Sequence, residues 1–219
     1  MFTNHRLLKI AGRCFVAAGL LLVCLTVAQA QGSRVDSAAS YLARGWEWQA
    51  RGELERAIEI DKKYVAAYNN RGYARTRMGA NEDAISDFSR AIKLDPRHIP
   101  AYSNRGNLRF ARGDFDGAIA DHTHAIELTP RLAESFNNRA NARYAKGDFE
   151  RALADYDQAL ALNPRHAQIY ANRGMAWLRL GQEDKAAADF AQCLALKPEI
   201  KPALDQRISQ ARSRLASGQ

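Results

Sequence analysis

Four prolines, Pro96, Pro130, Pro164 and Pro198, stand 34 residues apart, and one pattern of side chains is written out between them four times. The frame from Tyr68 through Asn70, Arg71, Gly72, Gly79, Ala84, Phe88 and Ala91 to Pro96 returns from Tyr102 to Pro130, from Phe136 to Pro164 and from Tyr170 to Pro198. That period belongs to helix–turn–helix units that cannot bury an apolar face alone and therefore stack. The predicted fold is all-α: an α-solenoid of antiparallel helix pairs with a 34-residue period. Such a chain offers an extended surface rather than a catalytic pocket.

The full units run over residues 65–98, 99–132, 133–166 and 167–200, and their places can be numbered one to thirty-four. Places two to fourteen are predicted as a first helix, stopped by Gly79, Gly113, Gly147 and Gly181 in a left-handed conformation. A second helix is predicted from about place eighteen to the residue before the proline. Pro100 and Pro202 fall in first turns, where a missing N–H costs little, so no proline breaks a helix interior. Gly72, Gly106, Ala140 and Gly174, with Ala84, Ala118, Ala152 and Ala186, are small where the two helices of a unit approach. Phe88, His122, Tyr156 and Phe190 are expected to fill space toward the neighbouring unit.

The ends differ. In residues 37–64, Tyr41, Gly45, Trp48, Gly52 and Ala57 follow the frame, but Val65 comes 8 residues after Ala57 where Ile99 comes 15 after Ala84. This is a degenerate N-terminal unit whose second helix has lost about two turns. At the other end Ile200, Leu204, Ile208, Ala211 and Leu215, interleaved with basic residues, predict a capping helix within 201–219. Residues 1–30 pair a basic start (His5, Arg6, Lys9, Arg13) with an apolar stretch from Phe15 to Val27 and a small-residue exit, Ala28-Gln29-Ala30. This reads as a cleaved signal peptide, with 31–36 a short linker. The expected location is periplasmic or secreted; a membrane anchor formed by an uncleaved N-terminus is the alternative.

The chain carries 32 Lys and Arg against 24 Asp and Glu, and cleavage would remove three of the basic residues. The remaining positive charge is spread evenly over the repeats, which suits mild steering of acidic partners and argues against nucleic acid. Cleavage would also leave Cys193 as the one thiol, at a place that other units fill with Ala91, Ala125 and Ala159, so a small buried side chain is expected. Of the histidines, His122 and His124 stand two apart and diverge on a helix, while His98 and His166 read as surface residues. No nucleophile–base or metal-spaced set occurs, and the glycines punctuate repeats rather than cradle phosphate. A non-enzymatic protein with no cofactor is expected. Arg71, Arg105, Arg139 and Arg173 match Asp87, Asp121, Asp155 and Asp189 in number and phase, and each is predicted to pair with the aspartate of its own unit.

From Ser37 to about Pro198 these residues resemble the tetratricopeptide repeat family. The resemblance implies a right-handed superhelix whose concave face is lined by first helices and which binds other proteins. It places Asn70, Asn104, Asn138 and Asn172, all at place six, in that groove. There they resemble the asparagine ladder of the O-linked N-acetylglucosamine transferases, which grips polypeptide backbone. Asn69, Asn107, Asn137 and Asn141 add polar capacity, and Trp46 and Tyr73 at place nine are candidate aromatic anchors. A second reading is that the asparagines are a habit of the family, solvated or bridging adjacent first helices. The carboxylate clamp of cytosolic chaperone adaptors needs cations where this chain has Ala66, Pro100, Glu134 and Gln168, and Asn69, Ser103, Asn137 and Ala171. The expected role is therefore an adaptor of a bacterial cell envelope that binds an extended peptide or partner protein. A permanent envelope subunit, or self-association through the degenerate unit, is the alternative.

Overall fold

In the computed structural model of the protein, residues 52–217 are described, and from Leu54 onward they belong to one compact unit. The expected signal peptide, the linker, most of the degenerate unit and Trp46 lie outside the described residues. Residues 52–60 are helical. Four helix pairs follow: α1 (Val65–Arg77) with α2 (Asn81–Leu94), α3 (Ile99–Ala111) with α4 (Phe115–Leu128), α5 (Ala133–Lys146) with α6 (Phe149–Leu162), and α7 (Ala167–Arg179) with α8 (Glu183–Leu196). A short 3-10 turn, Pro198–Ile200, leads into α9 (Lys201–Ala216). The described residues contain no strand, and the fold is an α-solenoid.

Each turn between paired helices is set by one glycine. Gly79, Gly113, Gly147 and Gly181 have φ of +78°, +81°, +87° and +70°, which a side chain would strain. The left-handed residue lets the next N–H reach back into the helix. Ala80 N–H donates to the Arg75 carbonyl and Asp148 N–H to the Arg143 carbonyl, both at 2.9 Å. Asp114 and Asp148 then cap α4 and α6 through their carboxylates. Observed helices start one place earlier than the sequence predicts, a shift inside the fraying of helix ends.

Helices within a pair pack along their length, and each second helix also packs on the next first helix. Ala84, Ala118, Ala152 and Ala186 are wholly buried at these crossings. Phe88 lies against the glycine of its own unit before it meets the next: a Cβ built on Gly72 would come within 2.7 Å of its ring. The ring then packs with Leu108 of the following unit, so the aromatic joins three helices. First helices also touch their counterparts, α1 with α3, α3 with α5 and α5 with α7, whereas second helices make no contact of that extent with each other. Closer spacing on one side bends the stack toward that side, so the first helices form the inner wall. At the C-terminal end α9 rests on α7, with Leu204 and Ala211 buried beside Cys193 and Phe190.

Candidate functional site

The eight candidate asparagines lie on the first helices and bond to one another in three groups: Asn69, Asn70 and Asn104; Asn107, Asn137 and Asn138; and Asn141 with Asn172. Asn104 Nδ2 donates to Asn69 Oδ1 at 3.0 Å, Asn138 Nδ2 to Asn107 Oδ1 at 3.1 Å, and Asn172 Nδ2 to Asn141 Oδ1 at 3.1 Å. Within α1 and α5, Asn69 donates to Asn70 and Asn137 to Asn138, each at 3.2 Å. The amide at place six thus reaches back to the preceding first helix, at place five for Asn104 and place nine for Asn138 and Asn172. These bonds bridge first helices, so the row is in the first instance part of the scaffold. It is not saturated. Each Nδ2 carries two N–H groups and each carbonyl two lone pairs. Among the described residues Asn104 Oδ1 and the amide nitrogens of Asn70 and Asn107 make no hydrogen bond within the protein. Asn70 and Asn107 are exposed, while Asn104, Asn137, Asn138, Asn141 and Asn172 are half-buried and Asn69 is buried.

Tyr73 stands on the same face at the N-terminal end of the row with 53% of its surface exposed. Place nine is then occupied in turn by Asn107, Asn141 and Met175, so the wall changes character from unit to unit. The hydroxyl of buried Tyr156 donates to Asn141 Oδ1 at 2.7 Å. Burial holds that phenol far above its ordinary proton affinity, so it stays a donor.

The second periodic set is the charged one, and it lies between the helices of a pair. Arg105 grips Asp121 with two parallel bonds, Nε to Oδ2 at 3.0 Å and Nη2 to Oδ1 at 2.6 Å. The same fork joins Arg71 to Asp87, Arg139 to Asp155 and Arg173 to Asp189. A one-to-one pair was the expectation, and the structure shows more. Arg75, Arg109 and Arg143 at place eleven add a third bond to the same carboxylates, at 2.7, 2.8 and 2.7 Å. The signal was available: these residues follow Arg71, Arg105 and Arg139 by four, on the same helix face. In the last unit place eleven is Trp177. Three of the place-seven arginines also reach the preceding unit, Arg105 to Ser89, Arg139 to Thr123 and Arg173 to Asp157. Hydrogen bonding to Asp189 is the main cause that raises the Arg173 proton affinity. These guanidiniums are committed to the scaffold and offer no polyanion site.

The histidines divide as their helix positions require. His122 is buried beneath Gly106, and burial pushes its pKa down to about 4. His124 is exposed, stacked 5.3 Å from Tyr102 and 3.2 Å from Glu127. His166 is exposed, but His98 is half-buried with Nε2 unpaired. Cys193 is fully buried, and burial raises its thiol pKa. Among the described residues no three His, Cys, Asp or Glu gather as metal ligands, and no helix is long and apolar enough to cross a membrane.

The sequence matches tetratricopeptide repeat family profiles over residues 65–98 and 140–216, and a TPR repeat profile over 106–147. Comparison with curated protein sequences gives no match. Among solved structures, one titled MamA is 19% identical with a TM-score of 0.67, covering 78% of this chain and 98% of its own. Another, MamA from residue 41 onward of Desulfovibrio magneticus RS-1, is 19% identical with a TM-score of 0.67, covering 75% and 93%. At that identity the likeness is one of fold. The recurring asparagines, the glycine-stopped helix pairs and the profiles coincide on the same residues, and the stack described here is built of tetratricopeptide repeats.

Proposed function

We propose that this chain is a non-enzymatic interaction scaffold of a bacterial cell envelope, which holds an extended peptide or partner protein along its inner wall. The single observation that carries this reading is the row of side-chain amides with unused donors and acceptors. Amides present both halves of a peptide hydrogen bond without selecting a side chain, so they suit the backbone of an extended partner. An array of tetratricopeptide repeats supports a protein-interaction role in general. The envelope location rests on the charge and apolarity of residues 1–30.

The test is crosslinking in intact cells followed by mass spectrometry, comparing the wild type with a variant carrying N70A, N104A, N138A and N172A. Each hydrogen bond contributes about 0.5–1.5 kcal/mol net, so the fourfold change should reduce partner capture by roughly tenfold or more. Thermal melting of the variant checks that the stack remains folded, since the same amides bridge first helices. Undiminished capture by a folded variant would remove the groove from the account. Recovery of the protein in the cytoplasmic fraction would remove the envelope. A constitutive complex of fixed stoichiometry would instead indicate a permanent subunit.

A further inference from the structure

On the inner wall a depression of about 350 Å³ opens between α3, α5, α7 and α9. Phe110, Tyr144 and Met175 give it apolar walls, and Asn141, Asn172 and Arg207 a polar rim. Its aromatic walls are fixed. Tyr144 packs edge-on against Phe149 at 5.3 Å, and Phe110 lies 5.6 Å from Phe115. Asn141 is held from two sides, by Tyr156 and by Asn172. Met175 supplies an unbranched, polarizable surface that adapts to what it meets.

Arg207 is the one charged side chain that lines this depression, and the carboxylate that acts on the neighbouring Tyr156 hydroxyl, Asp155, is held by Arg139 and Arg143. Arg179, Arg207 and Arg214 all act on the Tyr144 hydroxyl, and no carboxylate lines the depression. The acids closest in sequence to these cations are committed elsewhere: Asp205 to Lys201 at 2.8 Å and Glu183 to Arg212 at 2.6 Å. Arg207 itself makes one long hydrogen bond among the described residues, 3.4 Å to Asn172 Oδ1. A carboxylate would be a stronger acceptor than that amide. An apolar hollow edged by a cation selects for an apolar group next to an anion.

Resting on the groove reading above, we propose that this depression gives the inner wall its specificity: it takes a bulky apolar side chain of an extended acidic segment of a partner protein, with Arg207 holding a flanking carboxylate. An amidated peptide carrying the test sequence, acetyl-Gly-Ser-Asp-Glu-Phe-Asp-Glu-Gly-Ser-amide, is titrated into the purified protein by calorimetry. Two controls replace its acids by Asn and Gln, or its Phe by Gly. The acidic Phe peptide should bind saturably, and each control roughly fivefold more weakly or worse. Arg207→Gln should weaken the acidic Phe peptide by about the same factor and leave the uncharged one unchanged. Phe110→Ser should erase the preference for Phe over Gly. Both substituted residues are exposed, and melting confirms the fold. Equal binding of charged and uncharged peptides, indifferent to Arg207→Gln, would overturn the inference while leaving the groove reading standing. Binding of none of the three peptides would also overturn it, and the crosslinking comparison would still decide the groove separately.

Discussion

Asp121 shows how much a single side chain carries here. It is buried, and it accepts two bonds from Arg105 and one from Arg109. Asp121→Asn removes the charge that both guanidiniums face, and removing one partner of a buried ion pair costs about 3–5 kcal/mol. Chemical denaturation should show a loss of that order, and an effect below ~1 kcal/mol would mean the cluster is solvated. Exchanging Arg105 and Asp121 should not rescue stability, because Arg109 would then face an arginine. His122 makes a second, opposite case. Its ordinary pKa of 6.5 falls to about 4 in the folded protein, chiefly through burial. The unfolded chain therefore binds the proton first, so stability is full above pH 6.5 and falls as pH drops toward 4. The whole shift is worth about 3 kcal/mol. Other units carry Phe88, Tyr156 and Phe190 at that place, so His122→Phe should flatten melting temperature across this window. An unaltered pH profile in the variant would place the acid sensitivity elsewhere. The Arg–Asp pairs could be read from sequence because both partners repeat in phase. The third arginine carried a phase signal too, four residues further along the same face, but phase alone does not separate a docked cation from a solvated one.

Among the helices, the glycines and small residues were the most readable feature, because backbone conformation and close approach leave few chemical choices. Gly147 has φ +87°, and Gly147→Ala should cost ~1 kcal/mol or more. Gly72→Ala tests a different constraint. Alanine gains about 1 kcal/mol of helix propensity over glycine, yet its Cβ would stand 2.7 Å from the buried Phe88 ring. Overpacking of this kind costs about 1–3 kcal/mol, so a net loss is expected in thermal melts; a stabilised variant would show that the ring can yield. The destinations of the asparagine amides were less accessible. Their phase on each helix followed from the repeat, but whether they turn toward a ligand or a neighbour depends on the distance between first helices.

The array as assembled joins each unit only to its neighbours, so its unfolding should begin at an end. Leu204 anchors α9 and is 2% exposed. Leu204→Ala costs about 2–5 kcal/mol of local packing, and hydrogen exchange should quicken in α7, α8 and α9 while α1 and α2 keep wild-type protection. Uniform acceleration throughout would mean the units melt as one. The depression edged by Arg207 was not foreseeable from the repeat, because it is assembled from three first helices and the cap, and no single period contains it. The bonds from Asn104 to Asn69, Asn138 to Asn107 and Asn172 to Asn141 run between successive first helices, the same neighbours whose close approach bends the stack. A guest that borrows those amides competes with the clasps that draw the helices together. On the proposed groove reading, occupancy and bend are two readings of one equilibrium: whatever straightens the coil shifts affinity, and whatever binds shifts the coil by the same free energy.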